Sequence, residues 1–325
     1  MGLESEYANC KTLYVLPPAG YDTQESNVPV MVRIGRSAGK YRDDTSDVFS
    51  KLGPSYQKMA ISLDDDVTEC PVEVKDWDVD RQLGILFVKI PSVPTTGMTL
   101  KLWYDSTHAD NTTNVGAIGS AAGQSVWANG FEGVWHMKPS GGLVLDSTAN
   151  GNHGTIYGAT LTTGPLGACL SFDGVDDYVE IVHDPSLDLL DTLTIGMYCN
   201  FKSFAPSFSL LVGMRRHDSN YYVGTYTSGN RVCSRFMSSD SEGVYFDQSS
   251  GRGAELDTDT ILHWAVDAVS VPEQHTMFVD VDGQTDTYTP SRANGLATGT
   301  DPVRIGGRGA VGGHHNADIY AVTIS

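Results

Sequence analysis

Residues 133–179 read GVWHMKPSGGLVLDSTANGNHGTIYGATLTTGPLGACLSFDGVDDYV, and this stretch decides the fold. A tryptophan-bearing strand, Gly133-Val134-Trp135-His136-Met137, leads into the polar turn cluster Asp146-Ser147-Thr148-Ala149-Asn150-Gly151-Asn152. A short strand, a turn at Gly164-Pro165 and residues 170–181 follow. In that last peptide, apolar and polar residues alternate on either side of Asp173-Gly174, a dipeptide suited to a tight hairpin because it tolerates positive φ.

The same grammar runs through all 325 residues. Glycine is abundant at 35 residues, hydrophobic content is 40%, and no long stretch shows an apolar period of 3.6. This predicts an all-β protein with many turns, long enough for two domains. The formal net charge of -19 argues against nucleic acid, whose phosphates want a basic face, and against an anionic membrane surface. Five cysteines without a CxxC pair indicate neither a zinc ribbon nor a disulfide framework, and Cys169 and Cys199 read as buried thiols. The start, MGLESEYANC, lacks the basic and apolar regions of a signal peptide, and no run is apolar enough to span a bilayer. The expectation is a chain made in the cytoplasm, or a mature form with a replaced start.

Upstream of the deciding stretch, short alternating runs predict a separate β-sandwich over residues 1–115. They are Val28–Ile34, Met59–Leu63 closed by the acidic turn Asp64-Asp65-Asp66, Cys70–Trp77, Gly84–Ile90 stopped by Pro91, and Met98–Tyr104. Residues 116–125 are rich in Gly, Ala and Ser and read as a linker, with a short helical turn near Ala117–Ala122. Residues 126–325 form the second domain. There, Asp282-Gly283 marks a hairpin between 276–281 and 284–288, and Val322-Thr323-Ile324 reads as the closing strand.

The second domain resembles the laminin-G-like domains of the concanavalin-A-like lectin and glucanase superfamily. The residues that carry the likeness are Gly133-Val134-Trp135-His136-Met137, Asp146–Thr155, Phe172–Val179, Leu193–Tyr198, Leu262–Val266, Met277–Gly283, Val303–Gly307 and Ala317–Val322, in family order and spacing. The likeness implies a jelly-roll sandwich. Residues 10–115 resemble the β domain that precedes such modules in bacterial surface proteins and some phage proteins. The fold expected is an N-terminal β-sandwich followed by a concanavalin-A-like jelly roll.

Four chemistries can be weighed on this frame. Glycosidases of this fold set carboxylates two apart on a strand facing the sugar. Glu255-Leu256-Asp257-Thr258-Asp259 has that spacing, but the resemblance places it in a loop, so it reads as a solvated turn and the protein as non-catalytic. Calcium wants six to eight oxygens. The loop donors Asp146, Asn150 and Asn152, with Asp318 near the last strand, form a candidate site, or else simply make Asx turns. The family closes on Gly-x-Ile-Asp-Glu-Val, whereas this chain has Ala317-Asp318-Ile319-Tyr320-Ala321-Val322. Asp173-Gly174 is a hairpin signal first and a ligand donor second. His314 and His315, adjacent and after two glycines, read as part of a loop and point opposite ways on an extended chain. Finally, Arg216, His217, Tyr221 and Tyr245 supply the aromatic and planar polar character of a glycan rim, or of a protein contact surface.

The function expected is adhesive and structural, as a phage virion component such as a capsid decoration or tail-associated adhesin. Its expected partners are virion or surface proteins and glycans, without nucleic acid or membrane insertion, in an oligomer or a larger assembly. The alternatives are a secreted or cell-surface bacterial glycan-binding protein and a glycoside hydrolase.

Overall fold

The alternating runs of the first domain become two four-stranded sheets. The structure, a computed structural model, describes residues 2–16, 24–36, 44–189, 191–204, 209–214, 221–226, 231–236, 248–267, 274–280, 284–288, 300–308 and 313–325. The chain divides into two compact units. Met1–Gly130 with Ser147–Ala149 forms one, and Phe131–Asp146 with Asn150–Ser325 forms the other.

In the first unit the strands are β1 (Asn9–Val15), β2 (Glu25–Gly35), β3 (Met59–Leu63), β4 (Glu69–Cys70), β5 (Val72–Asp78), β6 (Leu83–Val93), β7 (Met98–Tyr104) and β8 (Val115–Ala117), with helices α1 (Asp47–Leu52) and α2 (Ala121–Val126). One sheet runs β1-β7-β3-β4 and the other β2-β6-β5-β8. Ile61, Leu100 and Leu102 from the first meet Val72, Val74, Leu86, Val88 and Ile90 from the second in a single buried core, so the two form a sandwich. β6 does not stop at Pro91 as the sequence suggested. Past Lys89 it has only β2 beside it, and the ladder skips the position where exposed Pro91 faces Asn27, whose φ is +54°. A missing N–H is tolerated on such an edge.

The stretch 116–125, expected to be a linker, is instead built into this unit. β8 pairs parallel with β5, Val72 opposite Val115. Ser120 caps α2 by accepting from the Gly123 N–H at 3.1 Å. Lys89 Nζ donates to the Ser125 and Ala128 carbonyls at the helix's far end. Trp127 Nε1 then donates to Glu73 Oε2 at 2.8 Å, and its ring sits 5.2 Å from that of Phe87. Glu73 and Lys75, on the outer face of β5, are buried. The Gly, Ala and Ser composition that mimics a linker allows this close approach: a Cβ at Gly123 would meet the Ala117 carbonyl and the Glu73 stem.

The second unit contains β9 (Gly133–Ser140), β10 (Leu143–Asp146), β11 (Gly154–Tyr157), β12 (Thr160–Gly164), β13 (Gly167–Asp173), β14 (Tyr178–Ile181), β15 (Thr192–Ser203), β16 (Ser209–Met214), β17 (Tyr221–Tyr226), β18 (Arg231–Phe236), β19 (Gln248–Gly253), β20 (Asp259–Asp267), β21 (Gln274–Asp280), β22 (Gln284–Tyr288), β23 (Val303–Ile305) and β24 (Asn316–Ile324). They form one antiparallel ladder, β19-β18-β17-β16-β23-β14-β11-β10-β9-β24-β15-β20-β21-β22, with β12 and β13 attached beside β24. The ladder folds back on itself. Val179, Ile181, Val303, Ile305 and Trp135 from one part pack in the same core as Ile195, Met197, Phe201, Leu262, Trp264 and Ile319 from the other. The all-β expectation of two successive sandwiches therefore holds. β21 and β22 pair as expected, His275 with Tyr288 through Val279 with Gln284, while the turn Asp282-Gly283 lies outside the described residues.

Trp135 is fully buried and its Nε1 donates to the Asn152 carbonyl at 2.7 Å. Its ring occupies the space over Gly133, where any Cβ would collide with it. Cys10, Cys70, Cys169 and Cys199 are in no disulfide, and Cys70, Cys169 and Cys199 are buried. Among the described residues, no helix is long and apolar enough to cross a membrane.

Replacing Trp127 with Ala removes both the roof over β5 and the donor to Glu73. The expected loss is about 3–5 kcal/mol of first-unit stability, read from urea melts of the full chain.

Candidate functional site

Alternation along β14 buries Val179 and Ile181 in the core and turns Tyr178 and Glu180 to the outer face. The neighbouring strands add to that face in register. Tyr157 of β11 stands opposite Tyr178, and Arg304 of β23 opposite Glu180. The two tyrosine rings stack with centroids 4.6 Å apart and planes 12° from parallel. The Arg304 guanidinium lies 5.7 Å from the Tyr178 ring centre, and its Nε and Nη2 both donate to Glu180 Oε2, at 2.8 and 2.7 Å. Tyr157 is 41% exposed, so its ring is open to solvent. Burial, then Glu180 and Tyr157, push the Tyr178 phenol up, while Arg304 opposes the shift.

At the head of β14, the turn 173–177 gathers three carboxylates. Oxygens of Asp173, Asp176 and Asp177 lie within 4.8 Å of one another. Asp177 is buried against Gly158, and its Oδ2 accepts from the Asp173 N–H at 2.9 Å. Asp173 Oδ1 accepts from the Val175 N–H at 2.8 Å. Burial raises the Asp177 carboxyl, and the neighbouring Asp173 and Asp176 raise it further, against the Asp173 N–H bond and His314. Hard oxygen donors this close suit a divalent cation, which would relieve their mutual repulsion.

The four residues read as a calcium set do not converge. Asp146 is fully buried; its Oδ1 accepts from the Val134 N–H at 3.0 Å and its Oδ2 from the Asn152 N–H at 2.9 Å. Asn150 Nδ2 donates to the Glu132 carbonyl and carboxylate, and Asn152 Nδ2 to the Glu132 carbonyl and Ser186 Oγ. The loop is thus a brace in which the carboxylate satisfies backbone donors. Asp318 is elsewhere. Asp146 pairs with Trp135 and Trp135 with Val322, so Asp318 lies two strands across from Asp146 and four residues, about 13 Å of strand rise, further along β24. It aligns instead with Ser171 and Asn200, and its carboxylate lies 3.4 Å from Lys202 Nζ.

Of the glycan-rim residues, Arg216, His217 and Tyr245 lie outside the described residues, and Tyr221 is described only as the backbone start of β17. Glu255 and Asp257 lie in an exposed loop; Asp259 opens β20, where its Oδ1 accepts from Tyr320 Oη at 2.7 Å and Asn200 Nδ2 at 2.9 Å.

His314 and His315 lie, as expected, in the loop that leads into β24, but both are buried. They point apart as adjacent residues on an extended chain should. His314 Nδ1 donates to the Asp177 carbonyl and His315 Nε2 to the Ser209 carbonyl, each at 3.1 Å; a carbonyl only accepts, so each of these nitrogens carries its proton. Tyr157, Tyr178, Glu180 and Arg304 were not singled out in the sequence. The alternation Tyr178-Val179-Glu180-Ile181 does signal two outward side chains, but nothing local names their partners.

No family model and no curated protein matches this chain. Among solved structures it is similar to domain 4 of AbnA, a GH43 extracellular arabinanase from Geobacillus stearothermophilus in complex with arabinotriose. The identity is 14% and the TM-score 0.44, over 60% of this chain and 91% of that one. It is also similar to the CBM40 of the Ruminococcus gnavus IT-sialidase bound to α2,3 sialyllactose, at 16% identity and TM-score 0.38, over 46% and 86% of the two chains. A third is the binding domain of botulinum neurotoxin DC in complex with SialylT, at 8% identity and TM-score 0.44, over 60% and 47%. The chain spans 30% of the length of a Trypanosoma rangeli sialidase that it also matches. At these scores the likenesses add nothing to the architecture described above.

Burial pushes the His315 imidazole down from 6.5 to about 4. Above pH 6.5 both folded and unfolded forms are neutral and its contribution is complete. As the pH falls, the unfolded chain takes up a proton that the fold refuses, so stability drops by about 1.4 kcal/mol per pH unit until about pH 4. Denaturant melts across this window should show a shallower slope, by about one proton, in His315→Gln, which keeps an N–H for the Ser209 carbonyl.

Proposed function

We propose that this protein is a non-catalytic adhesive module that binds glycans through the outer face formed by Tyr157, Tyr178, Glu180 and Arg304. The observation that carries this reading is the stacked tyrosine pair, its Tyr157 member open to solvent, beside a planar ion pair on one sheet. The C–H face of a pyranose or furanose stacks on an aromatic ring, while guanidinium and carboxylate groups bond its hydroxyls. Strand-borne groups need no ordering on binding, which spares part of the entropic cost of association. The finer assignments stand on the sequence resemblance: a laminin-G-like family membership, and a place in a phage virion as a decoration or tail-associated protein. Co-sedimentation with intact particles supports the virion setting, and a free secreted monomer overturns it.

Truncation of a stacking aromatic costs about 2 kcal/mol, or about 30-fold in affinity. Tyr157→Ala and Tyr178→Ala are expected to lose binding by this factor in titration calorimetry against the strongest hit of a printed glycan array. Tyr157→Ala should do so with an unchanged melting temperature. Binding that survives both substitutions removes this face from consideration.

Calcium at the rim is part of the proposal, with Asp173, Asp176 and Asp177 as its protein ligands in place of the Asp146 set. The bound ion would hold the turn at the head of β14 in one conformation. With a dissociation constant of about 10⁻⁴–10⁻³ M, usual for extracellular modules, about 10 mM calcium stabilises the fold by about 1.4–2.7 kcal/mol. Melting in calcium against chelator measures this, and the difference is expected to vanish in Asp173→Asn/Asp176→Asn.

A further inference from the structure

We propose that the tyrosine face selects uncharged glycans and rejects those bearing carboxylate or sulfate groups, an inference that rests on the glycan reading above. The argument is one of local charge. Among the described residues around the stacked rings, the cation paired at the face is Arg304, with Arg308 next along the chain, and the anions are Glu180, Asp173, Asp176 and Asp177. Arg304 is already committed. Two of its nitrogens bond one Glu180 oxygen, Nη1 reaches the Arg308 carbonyl at 3.4 Å, and both side chains of the pair are about three-quarters buried. An acid-bearing sugar could use that guanidinium only by displacing Glu180, leaving that largely buried carboxylate unpaired beside the incoming one. Breaking such a pair leaves an uncompensated charge.

The second element is the aspartate turn. Two of its carboxylates are exposed, at the head of the strand that carries Tyr178. Without a bound cation they attract hydroxyl donors and repel anions, and the chain's net charge of -19 adds a repulsive field that acts over about 10 Å at ~0.1 M salt and further in more dilute salt. Hydroxyls meet no such barrier, because each can donate to a carboxylate oxygen while the ring stacks on Tyr157. Sequence hides this selectivity. Arg304 and Glu180 are 124 residues apart, so the ion pair that occupies the arginine is visible only in the fold.

The test, run in chelator so that the aspartate turn holds no cation, is a printed array carrying neutral, sialylated, uronate-containing and sulfated glycans, followed by calorimetry on one matched pair: the best neutral hit and its sialic-acid-capped form. Hits confined to neutral glycans, with the capped form at least about tenfold weaker and weaker still at low salt, support the inference. Glu180→Gln releases Arg304 and is expected to narrow that ratio. Asp176→Asn, at an exposed turn away from the ion pair, is expected to narrow it at low salt and serves if the first variant folds poorly. Acid-bearing glycans bound as well as neutral ones, or a ratio that neither variant moves, overturns it. An array without any hit removes the glycan reading itself, and this inference with it.

Discussion

The second sandwich depends on the pairing of β24 with three other strands. Over nine residues this strand meets β15 along one edge, and β13 then β9 along the other, with Asp318 opposite Ser171 and Val322 opposite Trp135. Ala317, Ile319, Val322 and Ile324 are completely buried in the core. A strand buried on its inner face and hydrogen-bonded on both edges fixes register strongly, because a slip by one residue would turn its apolar set outward. The Asp146 brace works at the same corner. By accepting two backbone N–H groups it holds the loop whose Asn152 carbonyl receives Trp135, and Trp135 is where β9 meets β24.

The tyrosine face inherits its geometry from those constraints. Its four side chains come from β11, β14 and β23, and each is aimed by a core neighbour: Val179 and Ile181 beneath β14, Val303 and Ile305 beneath β23. Gly306, at φ +83°, ends β23 against the Phe172 ring, where any side chain would clash. Phe172 in turn lies one residue before the aspartate turn. The packing that seats β23 is therefore continuous with the turn that gathers the carboxylates, and rigidity is shared between the aromatic and acidic parts of the face.

Local patterning made the architecture readable. Met59–Leu63 and Met98–Tyr104 are strands with the very bounds that alternation assigns, and the order of two sandwiches follows from turn spacing. Composition misled where small residues serve packing. Residues 116–125 look like a linker because Gly, Ala and Ser are common in linkers, yet here Gly123 lets α2 approach β5 and Trp127 locks it. The site was less legible for a different reason. Arg304 and Glu180 are 124 residues apart in sequence, and no local rule pairs them. Asp146 reads as a metal ligand from its residue type and becomes a backbone acceptor once the fold places Val134 and Asn152 around it. His314 and His315 follow two glycines and yet are buried, because the carbonyls that receive them belong to Asp177 and Ser209, far away in the chain.

The order in which β24 and its partners leave the ribosome has a consequence for biosynthesis. β9, β13 and β15 are made well before the segment that joins them, so each waits with an unsatisfied edge and an apolar flank in water. Such edges template pairing with other chains. In the first sandwich the corresponding waits are shorter: β1 waits for β7 and β2 for β6, and its described strands are complete by Ala117. Until β24 is made, the edges of β9, β13 and β15 that it will occupy stay open to other chains.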